Sequence, residues 1–314
     1  MTGLVVQNTG SLYVVKTQEG VPFSCKLKGS FKLNGIQTTN PVAVGDRVDF
    51  ELPPDNERDT VGWITAIHPR RNYIIRRSSN LSKQAHIIGA NIDRSLLLVT
   101  INYPVTSTTF IDRYLATAEA YQVPTAIVFN KADRYDDREH LKLNRLMILY
   151  QRLGYTCFEI SAKYDVGLEA VKEYIATGTT LISGHSGVGK STFINQIVPD
   201  AHLRTQEISE VHNTGVHTTT FSEMIPYGAT PDTYLIDTPG IKGFGTIEFE
   251  RHQVGHYFPE IFELSKECRF DDCTHTHEPE CAVLHALSTG RLTQSRYKSY
   301  LSILNDETEG KYRL

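Results

Sequence analysis

One segment constrains this chain more than any other. Gly184-His185-Ser186-Gly187-Val188-Gly189-Lys190-Ser191 fits G-x-x-x-x-G-K-[ST]. It follows the β-rich run Thr180–Ser183 and opens the helical pattern Thr192–Ile197, the context in which this loop wraps a phosphate. Its glycines let the backbone turn closely, so that successive N–H groups point at phosphate oxygens and the helix N-terminus adds its dipole. Lys190 is placed to reach β- and γ-phosphates, Ser191 to offer a hydroxyl to Mg²⁺, and Thr192 follows in the same turn. Such a loop demands a mostly parallel sheet. Residues 90–245 supply one: short apolar runs at Leu96–Thr100, Thr125–Asn130, Thr156–Ile160 and Thr180–Ser183 alternate with helix-like segments near 110–122, 138–153 and 167–176.

Three further motifs complete a nucleotide site. Asp237-Thr238-Pro239-Gly240 follows the strand-like Thr233–Ile236; its carboxylate suits Mg²⁺, and the Gly240 N–H suits a γ-phosphate. Gly215-Val216-His217-Thr218-Thr219-Thr220 lies between it and the phosphate loop, with Thr219 a third Mg²⁺ candidate. Asn130-Lys131-Ala132-Asp133 closes the run from Thr125. An Asp there accepts from guanine N1–H and N2–H₂ together, and adenine would leave it unpaired. Ser161-Ala162-Lys163 ends the run Cys157–Ile160, where a backbone N–H can meet guanine O6. Both guanine motifs precede the phosphate loop, the reverse of ordinary GTPases. The same pocket forms if the sheet is entered midway, as in a circular permutation.

The flanks differ in kind. Residues 1–68 read as a small β-barrel: short runs such as Leu12–Val15, Phe23–Leu27 and Arg47–Phe50 are parted by turns, among them the hairpin signal Asn34-Gly35. Residues 69–86 carry Arg70, Arg71, Arg76, Arg77 and Lys83 with no acid; this is a solvated linker or a stripe for a nucleic-acid backbone. The formal net charge is −4, so any nucleic acid must be held by such a local patch. Residues 247–314 look helical around Cys268-x₄-Cys273-x-His275-x₅-Cys281, three thiolates and an imidazole that suit a tetrahedral, structural Zn²⁺. His277 rivals His275, and the spacing leaves both open. Five cysteines argue against a disulfide framework, no apolar run nears the ~18 residues of a membrane span, and no leader is visible, so a cytosolic chain is expected.

Taken with Val44-Gly45-Asp46-Arg47-Val48 and Asn91-Ile92-Asp93, these motifs resemble a known family along nearly the whole chain. That family is the circularly permuted, ribosome small-subunit-dependent GTPases, called RsgA, YjeQ or YloQ. The resemblance implies an N-terminal OB-fold (1–68), a basic linker (69–86), a permuted P-loop GTPase domain (87–246) and a helical zinc-binding domain (247–314). It implies a GTP- and GDP-binding monomer that acts with the small (30S) subunit and its 16S rRNA in late maturation, and it favours His275 as the fourth zinc ligand. Many GTPases orient water with a Gln just after D-x-x-G; here Ile241 stands there, and the resemblance points to His217 instead. Two other readings remain: a P-loop ATPase or kinase of another class, against which N-K-A-D speaks, and an RNA-binding module whose nucleotide is structural, against which the intact Lys190, Ser191 and Asp237 speak.

Overall fold

In the computed structural model, residues 1–28, 41–53, 61–77, 85–203, 222–228, 230, 232–240 and 250–305 are described. The N-terminal strands are β1 (Thr2–Asn8), β2 (Tyr13–Lys16), β3 (Pro22–Leu27), β4 (Arg47–Glu51) and β5 (Gly62–Ile67). Their pairing order is β1-β2-β3-β5-β4, and β4 returns to β1, which closes a five-stranded barrel. Alternate residues face inward, as the period of two requires: Val48 and Phe50 are buried while Arg47 and Glu51 are exposed. Val5, Tyr13, Val15, Cys25, Val42 and Ile64 complete that core. The hairpin signal Asn34-Gly35 lies outside the described residues.

The expected linker is different in the structure. β6 (Tyr73–Arg77) and β7 (Ala85–Ala90) form an antiparallel two-stranded sheet. Ile74 and Ile88 are buried in the core of the next domain, and that burial holds the segment against it. Gly45 has φ +93, and a Cβ there would run into the Ala90 carbonyl oxygen. The Ala90 N–H donates to Val44 O at 2.9 Å, and Asn91 Nδ2 donates to Gly45 O at 2.9 Å. The motifs Val44–Val48 and Asn91–Asp93 thus build the joint between barrel and central domain.

The central domain has β8 (Arg94–Val99), α1 (Thr108–Ala120), β9 (Thr125–Phe129), α2 (Asp137–Arg152), β10 (Cys157–Glu159), α3 (Leu168–Tyr174), β11 (Thr179–Gly184), α4 (Lys190–Ile197), β12 (Glu223–Pro226) and β13 (Tyr234–Asp237). The sheet order is β10-β9-β8-β11-β13-β12, parallel except for the antiparallel edge strand β12. Every residue of β9 is buried, as expected of a strand covered on both faces. A contact at Gln7–Glu223 joins β12 to β1, so barrel and central sheet are continuous. The C-terminal unit comprises α5 (Pro259–Ser265), α6 (Ala282–Ser288) and α7 (Gln294–Leu304), packed around Val254, Phe258, Ile261 and Tyr300 together with Ala116 of α1. Among the described residues, no helix is long and apolar enough to cross a membrane.

Candidate functional site

β8, β9 and β10 step outward in one direction, whereas β11 and β13 lie on the other side of β8. Open α/β sheets hold ligands where the strand order diverges, beyond the carboxyl ends of the strands. The loops at those ends carry the motifs: Asn130–Asp133 after β9, Ser161–Lys163 after β10, Gly184–Ser191 after β11, and Asp237–Gly240 at the end of β13.

The glycines of the phosphate loop are required by contact. A Cβ on Gly184 would meet the Leu98 carbonyl oxygen, and one on Gly189 (φ +97) would lie 2.5 Å from Asn130 Nδ2. Lys190 Nζ, buried, donates to the carbonyl oxygens of Gly184 at 3.0 Å and His185 at 2.9 Å. Burial pushes the Lys190 ammonium down to about 8, while the Asp237 carboxylate opposes the shift. A cation held this way is stabilised when an anion reaches the loop. Ser191, Thr192 and the Ser186–Gly187 turn are partly buried, and Val188 is fully buried. The His185 ring stacks on Phe110 of α1, with centroids 3.8 Å apart. A Cβ on Gly240 would lie 2.9 Å from Ser186 Cα, so the D-x-x-G turn closes directly on the loop.

Asn130 ties the base side to the phosphate side. Its Nδ2 donates to Val188 O at 2.9 Å, and its Oδ1 accepts from the Ala162 N–H at 3.0 Å. That N–H thus braces Asn130. Lys131, at φ +66, donates from Nζ to Gly187 O and Tyr103 O, each at 2.6 Å. Burial, with Arg134 nearby, lowers Lys131 to about 8. The Asp133 carboxylate is exposed on this side and accepts from Ser161 Oγ at 2.5 Å, which leaves its second oxygen for a base edge. Lys163 is exposed beside Tyr164. Asp237 is fully buried beside Lys190, and Ser191 follows that lysine in the loop; both carry oxygen donors of the kind Mg²⁺ accepts. His217, Thr219 and Ile241 lie outside the described residues.

The Cys/His cluster fits a tetrahedral metal. One donor atom from each of Cys268, Cys273, His275 and Cys281 lies within 4.8 Å of all the others. Its edges include 3.9 Å for Cys268 Sγ–Cys281 Sγ, 3.7 Å for Cys268 Sγ–His275 Nδ1 and 3.5 Å for Cys281 Sγ–His275 Nδ1. Ligands ~2.0–2.3 Å from Zn²⁺ give edges of roughly 3.5–3.8 Å. His277 is turned away, its Nδ1 2.8 Å from Thr276 Oγ1. Burial raises the Cys273 thiol to about 12 and lowers His275.

Two of the four arginines singled out as RNA contacts are engaged within the protein. Arg70 is largely buried and grips Asp46 with two bonds of 2.7 Å, while also donating to Pro41 O; this corrects its reading as an RNA contact. Arg71 pairs with Asp93 at 2.7 Å across the same joint but stays largely exposed. The side chains of Arg76 and Arg77 lie outside the described residues.

Sequence reasoning missed several supports. Glu278 gathers the N–H groups of Thr274, Thr276 and His277 and the Thr274 hydroxyl, which hold its carboxyl well below the usual range. Tyr297 and Tyr300 donate to the carbonyl oxygens of His275 and Thr274 at 2.8 and 2.7 Å. Buried Arg296 joins Asp112 of α1 at 2.7 Å to Glu260 of α5 at 2.6 Å. The i+3 and i+5 positions after Cys273 were open to inspection; the pairing of Arg296 with α1, 184 positions away, carries no local signal.

The family model for the RsgA GTPase matches residues 67–247, and that for the RsgA N-terminal domain matches residues 2–64. A Bacteroides fragilis protein, "Small ribosomal subunit biogenesis GTPase RsgA", is 57% identical over 313 residues, covering 100% of this chain and 99% of its own. A Porphyromonas gingivalis protein of the same name is 55% identical over 314 residues, again covering 100% and 99%. The crystal structure of YjeQ from Thermotoga maritima superposes with a TM-score of 0.71 at 32% identity over 98% of both chains. YloQ, described as a circularly permuted GTPase, gives 0.69 at 27% over 100% of this chain and 96% of its own. The order in which the strands enter the sheet, the loops gathered at their carboxyl ends and these end-to-end likenesses agree: the chain belongs to the RsgA family of circularly permuted, GTP-hydrolysing enzymes.

Proposed function

We propose that this chain hydrolyses GTP on the small ribosomal subunit, is stimulated by that subunit and assists its late maturation, as a cytoplasmic monomer in contact with 16S rRNA. The observation that carries the GTP part is the closure of three loops on Asn130, with the Asp133 carboxylate left open for a guanine edge. The subunit enters through the names of relatives that align end to end with the chain.

In this reading Asp133 selects guanine, Lys131 packs its stem on the base, and Asn130 keeps the base and phosphate loops in register. Lys190 and the loop N–H groups hold the β- and γ-phosphates. Mg²⁺, held by Ser191, Asp237 and Thr219, would neutralise charge on those oxygens. His217 orients the attacking water when the subunit orders the segment that bears it. Zn²⁺ on Cys268, Cys273, His275 and Cys281 staples the C-terminal unit.

The test is GTP turnover alone, with purified small subunits and with purified large subunits, with ATP as competitor. Stimulation by small subunits only, undiminished by excess ATP, is expected. Equal turnover in all three mixtures would overturn the subunit reading, and competition by ATP would overturn the guanine assignment.

A further inference from the structure

Helix α2 presents a face that the nucleotide site does not use. Arg138, Leu141, Lys142, Arg145, Ile148 and Arg152 are all exposed. At 3.6 residues per turn they fall within an arc of about 120°, along roughly 21 Å of helix. The opposite side carries the buried Leu143 and Tyr150. No Asp or Glu falls in the arc. The helix's two acids, Asp137 and Glu139, sit in the first turn, where Glu139 closes a capping box with Asp136 and accepts from Asn102. His140, on the far side, is 3.7 Å from Glu159.

Two features mark this face. Some exposed cations elsewhere have acidic partners: Lys28 with Glu51, Lys172 with Glu169, Lys266 with Glu263 and Arg269 with Glu280. Among the described residues, none of the four cations on α2 has an ion pair or hydrogen-bond partner. They are also placed against one another: Arg138 and Lys142 are four apart and Lys142 and Arg145 three apart, spacings at which like charges destabilise a helix. On a chain of net charge −4, this local concentration of positive charge exists despite that cost. It fits a polyanion.

We propose that this face of α2 docks on the phosphodiester backbone of RNA, Leu141 and Ile148 packing against the sugars between the charged contacts. A membrane surface is the poorer match. Interfacial helices oppose a basic face to an apolar one, whereas here cations and aliphatics share a single face and the other is buried in the protein. Only the identity of the RNA, as that of the small subunit, rests on the function proposed above. The docked helix starts at Asp137, four residues after Asp133, so the contact adjoins the guanine loop.

The test compares the full-length chain with the variant R138Q/K142Q/R145Q/R152Q. Gln keeps the helix propensity while removing the charges. Binding is measured against salt concentration with purified small subunits and, separately, with a plain RNA duplex. Each phosphate contact contributes about 0.7–0.9 to the log–log slope, so the variant's slope should fall by roughly 3, with at least about a tenfold loss of affinity at low salt. GTP affinity and turnover without subunits should be unchanged, because none of the four side chains reaches the nucleotide loops. The charge-retaining variant R138K/R145K/R152K should keep the parental slope, which separates charge from helix integrity. An unchanged slope on both RNA probes overturns the proposal. So does loss of binding to vesicles rich in phosphatidylserine with RNA binding intact. If the parental chain ignores subunits but binds the duplex with a slope that the variant loses, the docking surface stands and the subunit reading fails.

Discussion

Lys190 is a buried ammonium whose hydrogen bonds go to carbonyl oxygens of its own loop. Its affinity for protons is reduced to about 8 in the free protein, and bound phosphate would restore it. The sign follows from linkage. Below pH 8 the lysine is already charged and GTP binding takes up no proton. Above pH 8 it must be recharged on binding, so GTP affinity should fall as pH rises, by up to about tenfold per unit. Calorimetry in two buffers of different ionisation enthalpy should show proton uptake at pH 8.5–9 and none at pH 7. GMP, which lacks the β- and γ-phosphates, should show no such uptake; if it matches GTP, Lys190 is not the group responsible. Asp133 makes the complementary case on the base side. Asp133→Asn removes an acceptor and supplies a donor, so affinity should shift from guanine toward xanthine nucleotides by more than ~10²-fold in ratio. Unchanged GTP affinity in a competition assay would remove Asp133 from the pocket. Both residues were legible from sequence because each lies in a tetrapeptide or octapeptide whose chemistry is local. Arg70 was not: its partner Asp46 is 24 positions upstream, and a buried bidentate pair looks like any surface cation until the barrel closes.

Helix α1 is the element on which two domains meet. Ser107 caps it, and Phe110 in its first turn stacks on His185 of the phosphate loop. Asp112 accepts from Arg296 and from Tyr150, while Arg113 donates to Ser302 O. Arg296 is almost wholly buried, with Phe258 beneath its guanidinium at 4.6 Å. Removing one member of a buried ion network strands the others, so Arg296→Ala should cost about 3–5 kcal/mol, whereas replacing Asp112, Glu260 and Arg296 together by Leu, Leu and Met should cost less. The readout can be local, because the single tryptophan, Trp63, lies in β5 of the barrel. Urea unfolding followed by circular dichroism should shift in Arg296→Ala well before the Trp63 fluorescence transition does. Equal shifts would mean that the triad is not specific to the C-terminal joint. Zinc belongs at the same scale: one ion per chain is expected by metal analysis, with Cys273→Ala losing it and unfolding the C-terminal unit. The alternation of strands and helices in residues 90–200 was readable, since amphipathic periods are local. The β6–β7 hairpin was not, because five cations in 69–86 hide a short strand pair whose burial comes from Ile74 and Ile88 meeting a distant core.

At the scale of the whole molecule, the permutation decides what a switch can move. In this chain β13 ends in Asp237–Gly240, whose turn touches Ser186 of the phosphate loop, and the next described residues, from Glu250, enter the C-terminal unit. That unit is held to α1 by Arg296, and α1 in turn touches the phosphate loop through Phe110. The nucleotide site is therefore bracketed by two connections to the same C-terminal body, one through the chain and one through packing. A state change at Gly240 therefore has a short covalent route into the C-terminal unit. His217 stands before the threonines expected to close over the metal, and Ile241 offers no polar group at the usual water-orienting place. His217→Ala should bind GTP with near-parental affinity and lose ~10²–10⁴-fold of subunit-stimulated turnover, the range a positioned acid–base or orienting group supplies. With hydrolysis blocked, the GTP-bound arrangement persists, so this variant should also co-sediment with small subunits for longer than the parent does. Thr219→Ala should weaken subunit binding and turnover together, because it removes a closing contact rather than the water's orienter. Single-turnover hydrolysis and co-sedimentation, measured on both variants, distinguish these outcomes. Full stimulated turnover in His217→Ala would mean that the ribosomal partner itself supplies the orienting group.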